Sequence, residues 1–146
     1  MSTELIKMET GKRILLVDDE PDITMAISIA LEADGFEVHS YNSPKLALFN
    51  FKPDYYDLAI LDIKMPEMDG FRLYNQMKNI DNRIEICFIT AGDKAYYEDS
   101  QQEQKRKKRN QEKLSLEYCA LNEEIFIQKP ISNGELIREI KKRMKN

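Results

Sequence analysis

Short runs of consecutive hydrophobic residues alternate along the chain with longer stretches in which hydrophobic residues recur every three or four positions. The runs are ILLV (14–17), LAIL (58–61), CFI (87–89) and IFI (125–127), with a weaker one, FEVHSY (36–41). Uninterrupted hydrophobic runs are typical of strands covered on both faces in a parallel sheet. The pattern therefore predicts five parallel strands.

The stretches between these runs have the spacing of amphipathic helices. Gly35 is a typical helix end, Ser43-Pro44 a typical helix start, and residues 132–135 (SNGE) form a capping box. The predicted helices cover residues 22–34, 44–50, 68–79 and a stretch after residue 132. Their predicted buried stripes are Ile23, Ala26, Ile27, Ala30 and Leu31; Phe71, Leu73, Tyr74 and Met77; and Leu136, Ile137, Ile140 and Met144. Strands alternating with helices predict a doubly wound α/β domain.

Composition and charge indicate one folded domain. The 146 residues are 42% hydrophobic and 33% charged, which excludes a disordered chain, and the net charge is −4. We expect residues 1–12 to be a lead-in and 13–146 the domain. The hydrophobic runs are far shorter than the ~20 residues that cross a bilayer, so a cytoplasmic protein is predicted. Cys87 and Cys119 are interpreted as reduced thiols and His39 as a plain strand residue.

Polar residues that could carry chemistry follow four of the predicted strands. Asp18-Asp19 follow ILLV, Asp62 follows LAIL, Thr90 follows CFI, and Lys129-Pro130 follow IFIQ. Because ligands of such sheets bind at the carboxyl ends of the strands, we expect these residues to meet at one edge.

Three carboxylates crowded at that edge would repel one another, so they require a cation or protons. Oxygen ligands suit Mg²⁺, while a lysine and a threonine hydroxyl suit the oxygens of an anion. The combination predicts phosphoryl transfer with one carboxylate as the acceptor. Taken singly, each of these residues is also an ordinary loop start, and only their joint occurrence after four strands favours a site.

The segments ILLVDDEP, LAILDIKMPEMDGF, FITAG and FIQKP make the chain resemble the receiver domain of two-component response regulators. The resemblance covers about residues 12–146 and implies a flavodoxin-like receiver fold with a five-stranded parallel sheet. It implies that Asp62 accepts a phosphoryl group from a phosphohistidine. It also implies that Mg²⁺ is held by Asp19 directly, by Asp18 largely through water, by Asp62 and by the backbone carbonyl of Lys64.

The same resemblance assigns the anion-binding and switching residues. Thr90 and Lys129 would bind phosphoryl oxygens, and Lys129-Pro130 would be a cis peptide. Phe126 occupies the aromatic switch position, with a simple core aromatic as the alternative. Phosphorylation would draw Thr90 toward the phosphoryl group, let Phe126 turn inward and change the surface formed by the family's fourth helix and fifth strand.

An enlarged interval separates two of these positions. Thr90 and Lys129 are 39 residues apart, whereas Asp62 and Thr90 are 28 apart. The excess predicts a polar and basic insertion at about residues 96–113, which enlarges the region of the family's fourth helix. Two alternatives stay open: one extended helix whose polar part projects from the domain, or a polar loop over 98–112 followed by a shorter helix.

Only 16 residues follow Pro130, so we expect a stand-alone receiver of the chemotaxis-regulator type without an output domain. It would catalyse only its own phosphotransfer and dephosphorylation and would not be a conventional enzyme. The resemblance implies a sensor histidine kinase or phosphotransfer protein as donor, an unidentified downstream protein, and room for a phosphorylation-dependent homodimer.

Two other functions are weighed against this one. Residues 105–109 are five consecutive basic residues, so a phospho-regulated, nucleic-acid-associated regulator is the alternative function. A phosphatase that forms an aspartyl phosphate is disfavoured because the residue two positions after Asp62 is Lys64, not a second carboxylate.

Overall fold

A central parallel sheet organises the domain. The computed structural model describes residues 11–90, 126–128 and 132–144, with Thr90 and 126–128 described through their backbone alone. Five parallel strands lie in the order β2-β1-β3-β4-β5, which confirms the predicted doubly wound, flavodoxin-like sheet. They are β1 (Arg13–Val17), β2 (Glu37–Tyr41), β3 (Leu58–Asp62), β4 (Glu85–Thr90) and β5 (Phe126–Gln128).

Helices cover both faces of this sheet. They are α1 (Pro21–Ala33), α2 (Pro44–Asn50), α3 (Gly70–Ile80) and the last described helix, α4 (Asn133–Arg143). Residues of α1 and α4 share one hydrophobic cluster with alternate residues of β1 and β3, and α2 and α3 share a second cluster with the intervening residues. Because successive strand residues point to opposite faces, the uninterrupted runs supply both clusters.

Side-chain caps begin three of the helices. Ser43 accepts a hydrogen bond from the backbone N–H of Leu46, and Asp69 accepts one from Arg72. Ser132 accepts from the N–H of Glu135 at 3.2 Å, and its own hydroxyl donates to the carboxylate of Glu135 at 3.2 Å. The start predicted at residue 132 is therefore confirmed, although the glutamate bonds the serine side chain and not its backbone.

Two helix predictions needed correction. In α1 the buried residues are Thr24, Ile27 and Leu31, whereas Ala26 is exposed. The buried face of the helix therefore includes the polar residue Thr24, which the predicted hydrophobic stripe did not contain. The third helix begins at Gly70 and not at residue 68. Asp69 has extended backbone angles, φ −75° and ψ 170°, and its side chain caps the helix, so the first helical residue is Gly70.

The remaining predictions on single residues divide by location. Cys87 is a free, buried thiol, as predicted. His39 lies on β2, and its ring also bonds the hydroxyl of Tyr56 at 2.8 Å and the carboxylate of Glu37 at 2.7 Å. Residues 1–10, the insertion at 96–113, Cys119 and the Lys129-Pro130 peptide lie outside the described residues. Over the described part of the chain, no helix has the length and hydrophobicity needed to cross a bilayer.

Candidate functional site

Two buried aspartates lie at the ends of neighbouring strands, on the carboxyl edge of the sheet. Val17, the last residue of β1, pairs with Leu61 of β3. Asp18 and Asp62 each follow directly after this pair, so the register of two neighbouring strands brings them to the same level. Asp18 is 1% exposed and Asp62 is 4% exposed. Ionised carboxylates are rarely so buried without a compensating charge or hydrogen bonds, so this edge has the character of a site.

The loop after β1 adds two more carboxylates. One carboxylate oxygen each from Asp18, Asp19 and Glu20 lies within 4.8 Å of the other two. The donors are all oxygen, their charges repel at this spacing, and Asp18 is buried. These properties fit a hard divalent cation such as Mg²⁺, which prefers carboxylate, carbonyl and water oxygens. The predicted metal residues Asp18 and Asp19 are therefore brought together next to the strand that carries Asp62.

Backbone hydrogen bonds hold this acidic loop against the end of β2. The N–H of Asp18 donates to the carbonyl of Tyr41 at 3.1 Å. The carboxylate Oδ1 of Asp18 accepts from the N–H of Glu20 at 2.9 Å, a short-range bond typical of an Asx-turn. The side chain of Asn42 donates to the carbonyl oxygen of Asp18 at 2.8 Å. The acidic loop is thus fixed by its own turn and by the neighbouring strand.

Gly70 makes a close approach to the backbone of Asp62. Its N–H donates to the carbonyl of Ile63 at 2.8 Å, and the N–H of Ile63 donates to Ile89 on β4 at 3.1 Å. A Cβ at Gly70 would overlap the carbonyl group of Asp62. Sequence reasoning assigned Gly70 no role, although it directly follows Asp69, the N-cap of α3. The contact places the start of α3 against the strand end that carries the predicted phosphoryl acceptor.

Two other predicted site residues, Lys64 and Thr90, also lie at or just after the carboxyl ends of their strands. Lys64 is in the loop after β3, two residues beyond Asp62, with an exposed side chain. Thr90 ends β4, and its backbone pairs with Gln128, the residue before Lys129. The side chains of Thr90 and Phe126, and all of Lys129, lie outside the described residues, so their predicted roles stay predictions.

The strand order and the buried carboxylates at the ends of β1 and β3 define a flavodoxin-like α/β domain with an acidic edge. The family model for the response regulator receiver domain matches residues 14–104, more than half of the chain. The chain belongs to this family. Receiver domains act with kinases or phosphotransfer proteins and generally use Mg²⁺ at an acidic pocket, and this chain has the acidic cluster of Asp18, Asp19 and Glu20 after β1.

Curated relatives match a little over half of the chain. The regulatory protein AtoC of Escherichia coli is 38% identical over 84 residues, which are 58% of this chain and 18% of AtoC. The transcriptional regulatory protein RprY of Bacteroides fragilis is 32% identical over 60% of this chain and 37% of its own length. The response regulator receiver protein CpdR of Brucella abortus is 37% identical over 55% of this chain and 67% of its own length. The match thus spans well under half of AtoC and RprY.

Solved structures share the fold over nearly the whole chain. A CheY-like receiver domain protein from Methanospirillum hungatei has a TM-score of 0.70 at 24% identity, covering 92% of this chain and 94% of that one. The non-phosphorylated HemR receiver domain from Leptospira biflexa has a TM-score of 0.67 at 23% identity, covering 92% and 95%. At these identities the likeness concerns the fold.

Proposed function

We propose that this protein is a phosphorylation-controlled receiver in which Asp62 accepts a phosphoryl group from the phosphohistidine of a sensor histidine kinase or a phosphotransfer protein. The observation that carries the proposal is the placement of Asp62. Asp62 is 4% exposed at the carboxyl end of a central strand, and it follows Leu61, which pairs with the residue before Asp18. The membership in the receiver family and the acidic edge support the same conclusion.

The transfer is a single displacement at phosphorus. A carboxylate oxygen of Asp62 forms a bond to phosphorus while the bond between phosphorus and the histidine nitrogen breaks, and that nitrogen keeps the bonding electron pair. Asp62 is ionised in this step because the carboxylate is the nucleophile. The reaction is self-catalysed and does not make the protein a conventional enzyme.

Asp18 and Asp19, with Asp62 and the carbonyl of Lys64, are the residues that would hold Mg²⁺. When bound, Mg²⁺ would neutralise the negative charge on the phosphoryl oxygens. Without a cation the same carboxylates repel an incoming dianion, because Asp18 is buried and Glu20 lies within the same cluster. We therefore expect phosphorylation to require a divalent cation.

The output is proposed from the family pattern of residues. Thr90 and Lys129 bind the phosphoryl oxygens, and Phe126 turns inward when Thr90 moves, which alters an interaction surface for a downstream protein or a second copy of the receiver. A single-domain arrangement in the cytoplasm belongs to this proposal. The match to CpdR, a receiver protein covered to 67% of its length, supports the single-domain part, whereas AtoC and RprY, covered to 18% and 37%, extend well beyond the matched region. Nucleic-acid contact through residues 105–109 stays a sequence-based alternative.

Labelling by acetyl phosphate with Mg²⁺ tests the acceptor. We expect Asp62→Asn to abolish the mass increase of one phosphoryl group. Asp57→Asn is the matched control, because Asp57 directly precedes β3, is exposed, and accepts only the backbone N–H of Arg13 at 2.8 Å among the described contacts. Full labelling of Asp62→Asn, or loss of labelling in both variants, contradicts Asp62 as the acceptor.

A further inference from the structure

Asn42 connects three separate parts of the domain. It follows the end of β2 and precedes Ser43, the N-cap of α2. Its Nδ2 donates to the carbonyl oxygen of Asp18 at 2.8 Å and to the hydroxyl of Thr24 on α1 at 3.0 Å. The hydroxyl of Thr24 in turn donates to the carbonyl of Pro21 at 3.1 Å. One side-chain amide therefore joins β2, the acidic loop and the first turn of α1.

The chemistry of these partners requires an amide nitrogen. The carbonyl of Asp18 can only accept, and the proton of the Thr24 hydroxyl is used on Pro21. Both groups need a donor, and Asn carries two N–H donors on one nitrogen. A carboxylate at position 42 would have no proton for either contact. Thr24 is 4% exposed, so its hydroxyl depends on protein partners.

This arrangement holds Asp18 in place through hydrogen bonds to its backbone and side chain. Its N–H is held by Tyr41, the last residue of β2, and its carbonyl by Asn42, the next residue. Its carboxylate is held by the N–H of Glu20 at 2.9 Å. The bonds to Tyr41 and Asn42, the latter 24 positions away in the sequence, hold the backbone of Asp18, from which its carboxylate extends.

We propose that Asn42 is a positioning residue for the cation site, with Thr24 holding the Asn42 amide in place. The inference rests on the proposed function, because it concerns the residues that would hold Mg²⁺. Asn42 itself does not bind the cation. It keeps the loop of Asp18 and Asp19 in the arrangement in which their carboxylates face one cation, as partners of metal ligands commonly do.

Titration of the ¹⁵N-labelled protein with MgCl₂ alone, followed by NMR at the amides of residues 18–20, tests the proposal. We expect Asn42→Ala to raise the dissociation constant for Mg²⁺ about tenfold, because the loop is no longer held in place. Asn50→Ala is the matched control. The Nδ2 of Asn50, an exposed residue of α2, also donates to a backbone carbonyl at 2.8 Å, that of Leu46. A general loss of stability affects both variants, whereas Mg²⁺ affinity falls only in Asn42→Ala.

A second pair of variants separates positioning from folding. Thr24→Ser keeps the hydroxyl that Asn42 contacts, and we expect it to bind Mg²⁺ as wild type does. Thr24→Val keeps the shape but removes the hydroxyl, so we expect Mg²⁺ affinity to fall about threefold and the side-chain amide resonances of Asn42 to shift.

Wild-type Mg²⁺ affinity in Asn42→Ala, with Asp62 still labelled by acetyl phosphate, overturns the role of Asn42 and leaves the proposed function intact. A wild-type protein that neither binds Mg²⁺ nor becomes labelled overturns the proposed function first. Equal weakening in Thr24→Ser and Thr24→Val overturns the role of the hydroxyl. The two levels of the proposal are therefore tested separately.

Discussion

Gly70 and Asp62 are in contact through their backbones, because a Cβ at Gly70 would overlap the carbonyl group of Asp62. The N–H of Gly70 also donates to the carbonyl of Ile63, the next residue along, at 2.8 Å. The first turn of α3 is thereby packed directly against the end of β3. A side chain at position 70 would push these two elements apart at the point where the predicted phosphoryl acceptor lies.

Gly70→Ala is expected to lower the free energy of unfolding by about 1–3 kcal/mol, since an added methyl group in a packed region forces the backbone to move. We also expect slower labelling of Asp62 by acetyl phosphate, because the strand end is displaced. Urea unfolding and mass spectrometry measure the two effects. Gly134→Ala is the control: nothing lies within 4 Å of a Cβ there, and alanine in α4 should raise stability by up to about 1 kcal/mol. Equal stability of the two variants would contradict the close-contact argument.

The buried thiol of Cys87 should lower the free energy of unfolding at alkaline pH. Burial on β4 raises the pKa of its thiol to about 12, from an ordinary value of 9.0. Between these values the unfolded chain releases the thiol proton while the folded protein keeps it, so the free energy of unfolding falls as pH rises above 9. The slope from this group is at most about 1.4 kcal/mol per pH unit. Unfolding in urea between pH 8 and pH 11 should show a smaller slope in Cys87→Ala than in wild type.

The same burial predicts that Cys87 is unreactive in the folded protein. In a Cys119→Ser background, iodoacetamide at pH 8 should modify Cys87 only at the rate at which the protein unfolds, because the neutral thiol is a poor nucleophile and is enclosed. Addition of urea should release one reactive thiol. Rapid modification without denaturant would show that β4 is open to solvent.

The carboxylate of Glu37 should contribute to the free energy of unfolding at neutral pH, and this contribution should be lost in acid. Hydrogen bonds from Arg13 at 3.0 Å and from His39 at 2.7 Å lower the pKa of its carboxyl group below the ordinary value of 4.5. The contribution is therefore present above pH 4.5 and disappears as pH falls through the lowered pKa. We expect Glu37→Gln to be less stable than wild type at pH 7 and equally stable near pH 2. Urea unfolding at both pH values checks this; the same difference at both would exclude the carboxylate as the cause.

Asp81 stabilises the connection between α3 and β4. It is 7% exposed, and its two oxygens accept the backbone N–H groups of Arg83 at 3.0 Å and Asp54 at 2.9 Å. Asp81→Ala leaves both donors without that acceptor, so we expect a loss of about 1–3 kcal/mol in the free energy of unfolding. Asp81→Asn keeps one acceptor oxygen and should lose less. Labelling of Asp62 should be unchanged in both, because Asp81 lies at the opposite end of the domain's strands.

The amino-acid sequence by itself determined the elements of the fold and the residue types of the site. Uninterrupted hydrophobic runs indicated strands buried on both faces, and five parallel strands are observed. The carboxylates after ILLV and LAIL indicated an acidic edge, and Asp18 and Asp62 directly follow a paired position of β1 and β3 there. Both predictions use local sequence alone. A strand buried on two faces is a short run of hydrophobic residues, and a residue at its end is the next polar one along the chain.

The tertiary structure alone decided which distant residues support those carboxylates. Thr24 interrupts the hydrophobic stripe of α1, and its hydrogen bonds with Asn42 and Pro21 satisfy its hydroxyl where it is buried. Nothing in the local sequence distinguishes Asn42 from an ordinary turn residue. Its hydrogen bond to the carbonyl of Asp18 exists only because β2 pairs with β1. Hydrogen-bond partners depend on register, crossing angle and the depth at which two elements pack, and hydrophobic periodicity reports burial without reporting any of these.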